Sequence, residues 1–200
     1  MMQLSVEQND LLLETINISF GLAASLIGDM LNSYVNLKVP EINTIPIYDL
    51  HETILNSVNY AEAFYATKQR FFGSFSGEVI FAFSEESAQT FTRLLLNQEE
   101  GIDQEINGVL LELTNILTAS CIGQLSQIIG GESLFTVPDI QRISSIGAST
   151  LHETLEYDNV IVITTSLDVA DQNIHGHMFI LLNNDMLETL IRLLTGKLPC

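Results

Sequence analysis

Leu13-Glu14-Thr15-Ile16-Asn17-Ile18 returns 98 positions later as Leu111-Glu112-Leu113-Thr114-Asn115-Ile116. Working outward, Val39-Pro40-Glu41-Ile42 returns as Val137-Pro138-Asp139-Ile140, and 22 residues separate each Asn from its Pro. A third echo, offset by 99, sets Gly77-Glu78-Val79 through Arg93-Leu94-Leu95 against Gly176-His177-Met178 through Arg192-Leu193-Leu194. Solenoid units run about 20–50 residues, so a period near 100 is too long for one. The spacing predicts a single domain, 1–200, made of two copies of one half-domain, about 1–98 and 99–200, related by a pseudo-two-fold axis. Two equivalent sites follow from that reading.

The repeat begins each half with a long helix. Leu12, Leu13, Ile16, Phe20, Ala23, Ile27 and Met30 recur at helical spacing, which predicts a helix over 6–32. Strand-like segments follow at 35–39, 42–48, 60–67 and 74–83. Ser84-Glu85-Glu86 then caps a helix to about Leu96. The second half runs through a helix over 103–129, stopped by Gly130-Gly131, and extended segments at 134–143, 159–168 and 177–182. A last helix, capped by Asn183-Asn184-Asp185, reaches Leu194. The expected fold class is α/β (α+β): a mixed sheet built from both halves, with two long helices packed on one side.

Apolar residues make up 46% of the chain and charged ones only 16%, enough for a sizeable core. Twenty-five acidic residues against 7 basic give a net charge of −18. Such a surface repels phosphate, which argues against nucleic acid or an anionic membrane as partner; it serves solubility, or a partner with a basic docking face. The apolar stretch 11–31 is broken by Glu14, Asn17 and Asp29, so no membrane span is expected. The start, MMQLSVEQND, lacks a basic segment leading into an apolar one, so no signal peptide is expected. Cys121 and Cys200 form no disulfide framework and suit a reducing cytoplasm.

On the first helix Asp10, Glu14, Asn17, Gly21, Ser25 and Gly28 fall within about 80° of one another at ~100° per residue. The second helix repeats the stripe as Gly108, Glu112, Asn115, Ala119, Gly123 and Ser126. Each helix thus has one apolar face for the sheet and one face bearing a carboxylate, a carboxamide and very small side chains. Small residues on a helix also serve close helix packing. The same Glu and Asn at the same offset in both halves is what points to function.

The pattern Asp/Ser-x3-Glu-x2-Asn-x22-Pro resembles that of the CheC-type chemotaxis phosphatases, a family that includes CheX and the phosphatase part of FliY. Asp10, Glu14, Asn17 and Pro40 match throughout; Glu112, Asn115 and Pro138 match, with Gly108 at the opening position. The resemblance covers nearly the whole chain. It implies a phosphatase of the aspartyl-phosphate on a CheY-like receiver, whose own Mg²⁺ neutralises developing charge, with no cofactor on this chain. Asn17 and Asn115 would orient the attacking water, and Glu14 and Glu112 would pair with the receiver's lysine. Asp10, Gly21 and Ala119 would meet the partner. It also implies an alternative, a non-catalytic adaptor binding CheD or the phosphorylated receiver. A chain that is its own pseudo-dimer is expected to be a monomer.

The family usually places Gly before the Asn, where this chain has Ile16 and Thr114. Other signals carry less. His175-Gly176-His177 has no third ligand nearby in sequence, so no metal site is expected. His51 and His152, each in a His-Glu-Thr triplet, suit a loop or short helix. Cys121 reads as a small core residue. Gly130-Gly131 lacks the Lys and Ser/Thr of a phosphate loop.

Overall fold

The computed structural model describes residues 5–38, 41–58, 63–143, 159–169, 172 and 174–196. Val39, Pro40, His152 and Cys200 lie outside them. The first helix, α1 (Val6–Leu31), opens on a capping box. Ser5 Oγ accepts the Gln8 amide at 3.1 Å, and Gln8 Oε1 accepts the Ser5 amide at 3.0 Å. It closes on Asn32 in the left-handed region, φ 48°. The turn is tight: a Cβ at Gly28 would stand 3.0 Å from the Ser33 carbonyl oxygen.

After β1 (Val35–Leu37) and β2 (Glu41–Pro46) the chain forms α2 (Leu50–Val58), β3 (Phe64–Gly73), β4 (Gly77–Ser84) and α3 (Glu85–Leu96). The chain continues as α4 (Ile106–Ile128), β5 (Ser133–Phe135), β6 (Asp139–Ile143), β7 (Asn159–Val169), β8 (Ile174–Leu182) and α5 (Asn184–Thr195). His51 sits on α2. The strand expected at 60–67 instead runs on to Gly73, because Phe71 reaches the core while Arg70 pairs with Glu78 on β4 at 3.2 Å. Lys68-Gln69-Arg70 hides that continuation in the sequence.

The strands form one sheet in the order β1-β7-β8-β4-β3-β5, with β2 also on β7 and β6 also on β3. Every pairing among the described residues is antiparallel, so the expected mixed sheet is corrected to an antiparallel one. The reason lies in the connections. Only residues 74–76 separate β3 from β4 and 170–173 separate β7 from β8, too few for the crossover that parallel neighbours need. At the centre β4 meets β8 with Glu78 opposite Leu181, Ile80 opposite Phe179 and Ala82 opposite His177.

One face of the sheet carries α1, α3, α4 and α5. Leu12, Ile16, Phe20 and Ile27 from α1 and Leu110, Leu113, Leu117 and Leu125 from α4 are buried there with Phe71, Phe81, Phe83, Met178 and Ile180. The other face packs Leu50 and Ile54 of α2 over Ile80, Ala82, Phe179 and Leu181. α1 and α4 are long and apolar enough to cross a membrane by length and composition, with mean hydropathy 1.6 and 1.3. In this fold each lays one apolar face on the sheet.

Candidate functional site

Burying Leu12, Ile16, Phe20, Ala23 and Ile27 turns the opposite side of α1 outward. Asp10, Glu14, Asn17, Gly21 and Ser25 are all exposed there. α4 does the same with Gly108, Glu112, Asn115 and Ala119, whereas Ser126 is buried and Gly123 is partly covered. Glu and Asn three apart stand as neighbours on the helix surface, about 5–6 Å between Cβ atoms. A Cβ added at Gly21, Gly108 or Gly123 would meet nothing within 4 Å, so their smallness serves no packing among the described residues. Gly28 does have an internal reason, the tight turn after α1.

The residues immediately before the two Asn, Ile16 and Thr114, point inward. Ile16 is buried in the helix-side core. Thr114, also buried, donates to the Leu110 carbonyl at 2.8 Å and stands 2.6 Å from the Thr67 hydroxyl on β3. A hydroxyl has one proton, so with Thr114 donating to Leu110, Thr67 donates to Thr114. Neither side chain obstructs the outer face.

The two carboxamides are held differently. Gln69 on β3 donates through Nε2 to Asn115 Oδ1 at 3.1 Å and to the Thr136 carbonyl at 2.7 Å. Thr136 opens the β5–β6 connection, and its amide donates to the Arg70 carbonyl at 3.0 Å. Its hydroxyl accepts the Arg70 amide at 3.1 Å. Pro138, the last position of the motif, is two residues further along this connection. The fixed gap between Asn and Pro therefore ends where the chain returns to the Asn, with Gln69 between. Asn17 makes no side-chain hydrogen bond to any described residue. It stands instead on the wall of an open groove of about 670 Å³, with Gly21, Ser25 and Gly28, facing the segment from Asn32 to Leu37.

Gln69 is a site residue that the sequence reading missed. Its signal was a polar side chain in the inward-facing row Thr67, Gln69, Phe71 of β3, and that row emerges only once the strand is extended to Gly73.

His175 and His177 lie on β8 away from these helices. His175 Nδ1 is 2.6 Å from Asp168 Oδ1, and Lys38 Nζ is 3.1 Å from the other oxygen. Burial alone would raise the Asp168 carboxyl, but the bonds from His175 and Lys38 outweigh it and hold it below its ordinary value. Burial lowers His177. Burial likewise pushes the Cys121 thiol up, away from the reactive thiolate. No three His, Cys, Asp or Glu side chains among the described residues are grouped to hold a metal ion.

Comparison with known proteins finds likenesses in sequence and in fold. The family model described as "Chemotaxis phosphatase CheX" matches residues 65–155. The CheY-P phosphatase CheC of Bacillus subtilis (strain 168) is 27% identical over 205 residues, covering 96% of each chain. The crystal structure of Thermotoga maritima FliY superposes with a TM-score of 0.80 at 14% identity, covering 98% of this chain and 100% of that one. A CheX from Desulfovibrio desulfuricans gives a TM-score of 0.61 at 15% identity, over 85% and 99%. The chain is thus similar in sequence to chemotaxis proteins of the CheC and CheX type, and it shares the fold of FliY and CheX.

Proposed function

We propose that this protein hydrolyses the aspartyl-phosphate of a CheY-like receiver in chemotaxis or a related two-component pathway, with a cytoplasmic location. One observation carries the reading: the same Glu and Asn stand exposed on both long helices, beside glycines whose small size serves no packing among the described residues. Hydrolysis needs a water held in line with the bond to the leaving aspartyl oxygen, while the receiver's own Mg²⁺ offsets charge on the phosphoryl group. A carboxamide suits the remaining task, because it donates and accepts hydrogen bonds and brings no charge against phosphoryl oxygens. Asn17 and Asn115 would hold the water. Glu14 and Glu112 would meet the receiver's lysine in a charge-assisted bond that sets the register of docking. Asp10, Gly21 and Ala119 would lie under the receiver. The scheme asks for no cofactor on this chain and no second copy of it.

The test is phosphate release from a Mg²⁺-bound receiver charged with acetyl phosphate. Wild-type protein is expected to accelerate it, and the Asn17→Ala, Asn115→Ala double variant to lose ~10²-fold or more of that acceleration, as for other positioned polar groups. Equal acceleration by both proteins would place the chemistry elsewhere. A second reading is favoured by Ile18, Leu22, Leu26 and Met30, an exposed apolar row on α1 beside Asn17. It is an adaptor that holds the receiver, or CheD, without turnover. Stable binding with an unchanged phosphate lifetime would select it.

A further inference from the structure

We propose that Gln69 is a positioning residue: it fixes the plane and the facing of the Asn115 carboxamide and so makes the α4 site the preorganised one of the two. This rests on the phosphatase reading above. The chemistry of three groups settles the orientation. The Thr136 carbonyl can only accept, so the Gln69 Nε2 must face it, at 2.7 Å. The remaining Nε2 proton points at Asn115, which must answer with its oxygen, at 3.1 Å. Turning Gln69 over would set two oxygens against each other, and turning Asn115 over would set two NH₂ groups against each other. One arrangement survives. Asn115 keeps Oδ1 inward on Gln69 and presents both Nδ2 protons, with one remaining Oδ1 lone pair, to whatever docks on α4.

A second observation separates this role from simple loop anchoring. Gln69 is fully buried, yet its Oε1 has no hydrogen-bond partner among the described residues. Buried polar atoms are ordinarily paired, and this side chain leaves its acceptor empty while both donors are used. The contrast within the molecule is internal. β7 occupies the place of β3 in the other half, and the strand registers set position 69 against 165, a threonine. Asn17 has no side-chain bond to any described residue. A water-orienting group held within a small angular range gains rate through orientation, and misplacement by about 1 Å costs on the order of 10²-fold.

The experiment uses the full chain and a Mg²⁺-bound receiver charged with acetyl phosphate. Asn17→Ala leaves the α4 site alone, and Asn115→Ala leaves the α1 site alone. We expect Asn17→Ala to keep the larger share of wild-type kcat. Adding Gln69→Leu should then lower kcat by about 10-fold or more with KM within about twofold, the pattern of a lost orienting contact. The same substitution in Asn115→Ala should leave the turnover of the α1 site as it was. Equal slowing in both backgrounds would make Gln69 merely structural, and no slowing in Asn17→Ala would remove the role altogether. An NMR measurement on the unmutated protein needs no variant to fold. The Asn115 side-chain NH₂ should be rigid and that of Asn17 mobile on the ps–ns scale. Equal mobility overturns the clamp. If the Asn17→Ala, Asn115→Ala double variant retained full turnover, the phosphatase site itself would be misplaced, an outcome distinct from a failure of Gln69 alone.

Discussion

Thr114 and Ile16 occupy corresponding places on the two long helices and solve one packing problem by two chemistries. Ile16 fills its place with hydrocarbon. Thr114 makes a two-bond chain, taking a proton from Thr67 at 2.6 Å and giving its own to the Leu110 carbonyl at 2.8 Å. Position 67 corresponds by strand register to 163, an isoleucine buried in the same core. The order of donation makes the pair's response to mutation unequal. Thr114→Val strands the Thr67 hydroxyl in a fully buried place and should cost about 1–3 kcal/mol. Thr67→Val leaves Thr114 still bonded to Leu110 and should cost only about 0.5–1.5 kcal/mol. The double Val variant should be no less stable than Thr114→Val, because no orphan hydroxyl remains. Urea unfolding with an unchanged slope checks this; a Thr67→Val that costs more than Thr114→Val would reverse the assigned direction of donation. The residues next to the two Asn are thus explained by the core beneath them.

At the level of elements, the helices were legible because their periodicity survives any tertiary arrangement. The expected span 6–32 is α1 (Val6–Leu31), and 103–129 is α4 (Ile106–Ile128) preceded by a short 3₁₀ turn from Ile102 to Gln104. The outward stripe of α1 was legible for the same reason, and so was the Glu–Asn pair on each helix. β3 was not, since its central Lys68-Gln69-Arg70 looks like a polar loop until β4, β5 and β6 supply partners on both sides. The Gln69 clamp depends on that long-range pairing, so no local pattern could show it. Gly21 offers a test of what the stripe is for. A helical Gly costs about 0.8–1.0 kcal/mol relative to Ala, and here an added Cβ meets nothing within 4 Å. Gly21→Ala should therefore raise stability by up to about 1 kcal/mol. If the receiver lies against this face, the same methyl should raise KM for it in the Asn115→Ala background, where only the α1 site works. Stabilisation with an unchanged KM would remove Gly21 from the contact.

For the molecule as a whole, the sequence echo at 98–99 residues predicted two halves but left strand direction open, because direction depends on how the halves meet. Direction is set by the short β3–β4 and β7–β8 connections and by the antiparallel pairing of β4 on β8 at the sheet's centre, with four helices on one face. Around this core the charge is one-sided: 25 acidic residues face 7 basic ones. Three Arg or Lys ion pairs stand out, Lys38–Asp168, Arg70–Glu78 and Arg142–Glu85. Even if every basic residue were paired, most carboxylates would still repel one another. Screening should then relieve more repulsion than it removes attraction. The Debye length falls from about 30 Å at 0.01 M salt to about 8 Å at 0.15 M, shorter than most distances across a domain of this size. Arg70–Glu78 should weaken least, since Glu78 is almost wholly buried. The expected outcome is a Tm that climbs with NaCl over that range and then levels off, measured at fixed pH near 7. A Tm that falls with salt would show that the few ion pairs outweigh the net charge of −18 in holding the fold.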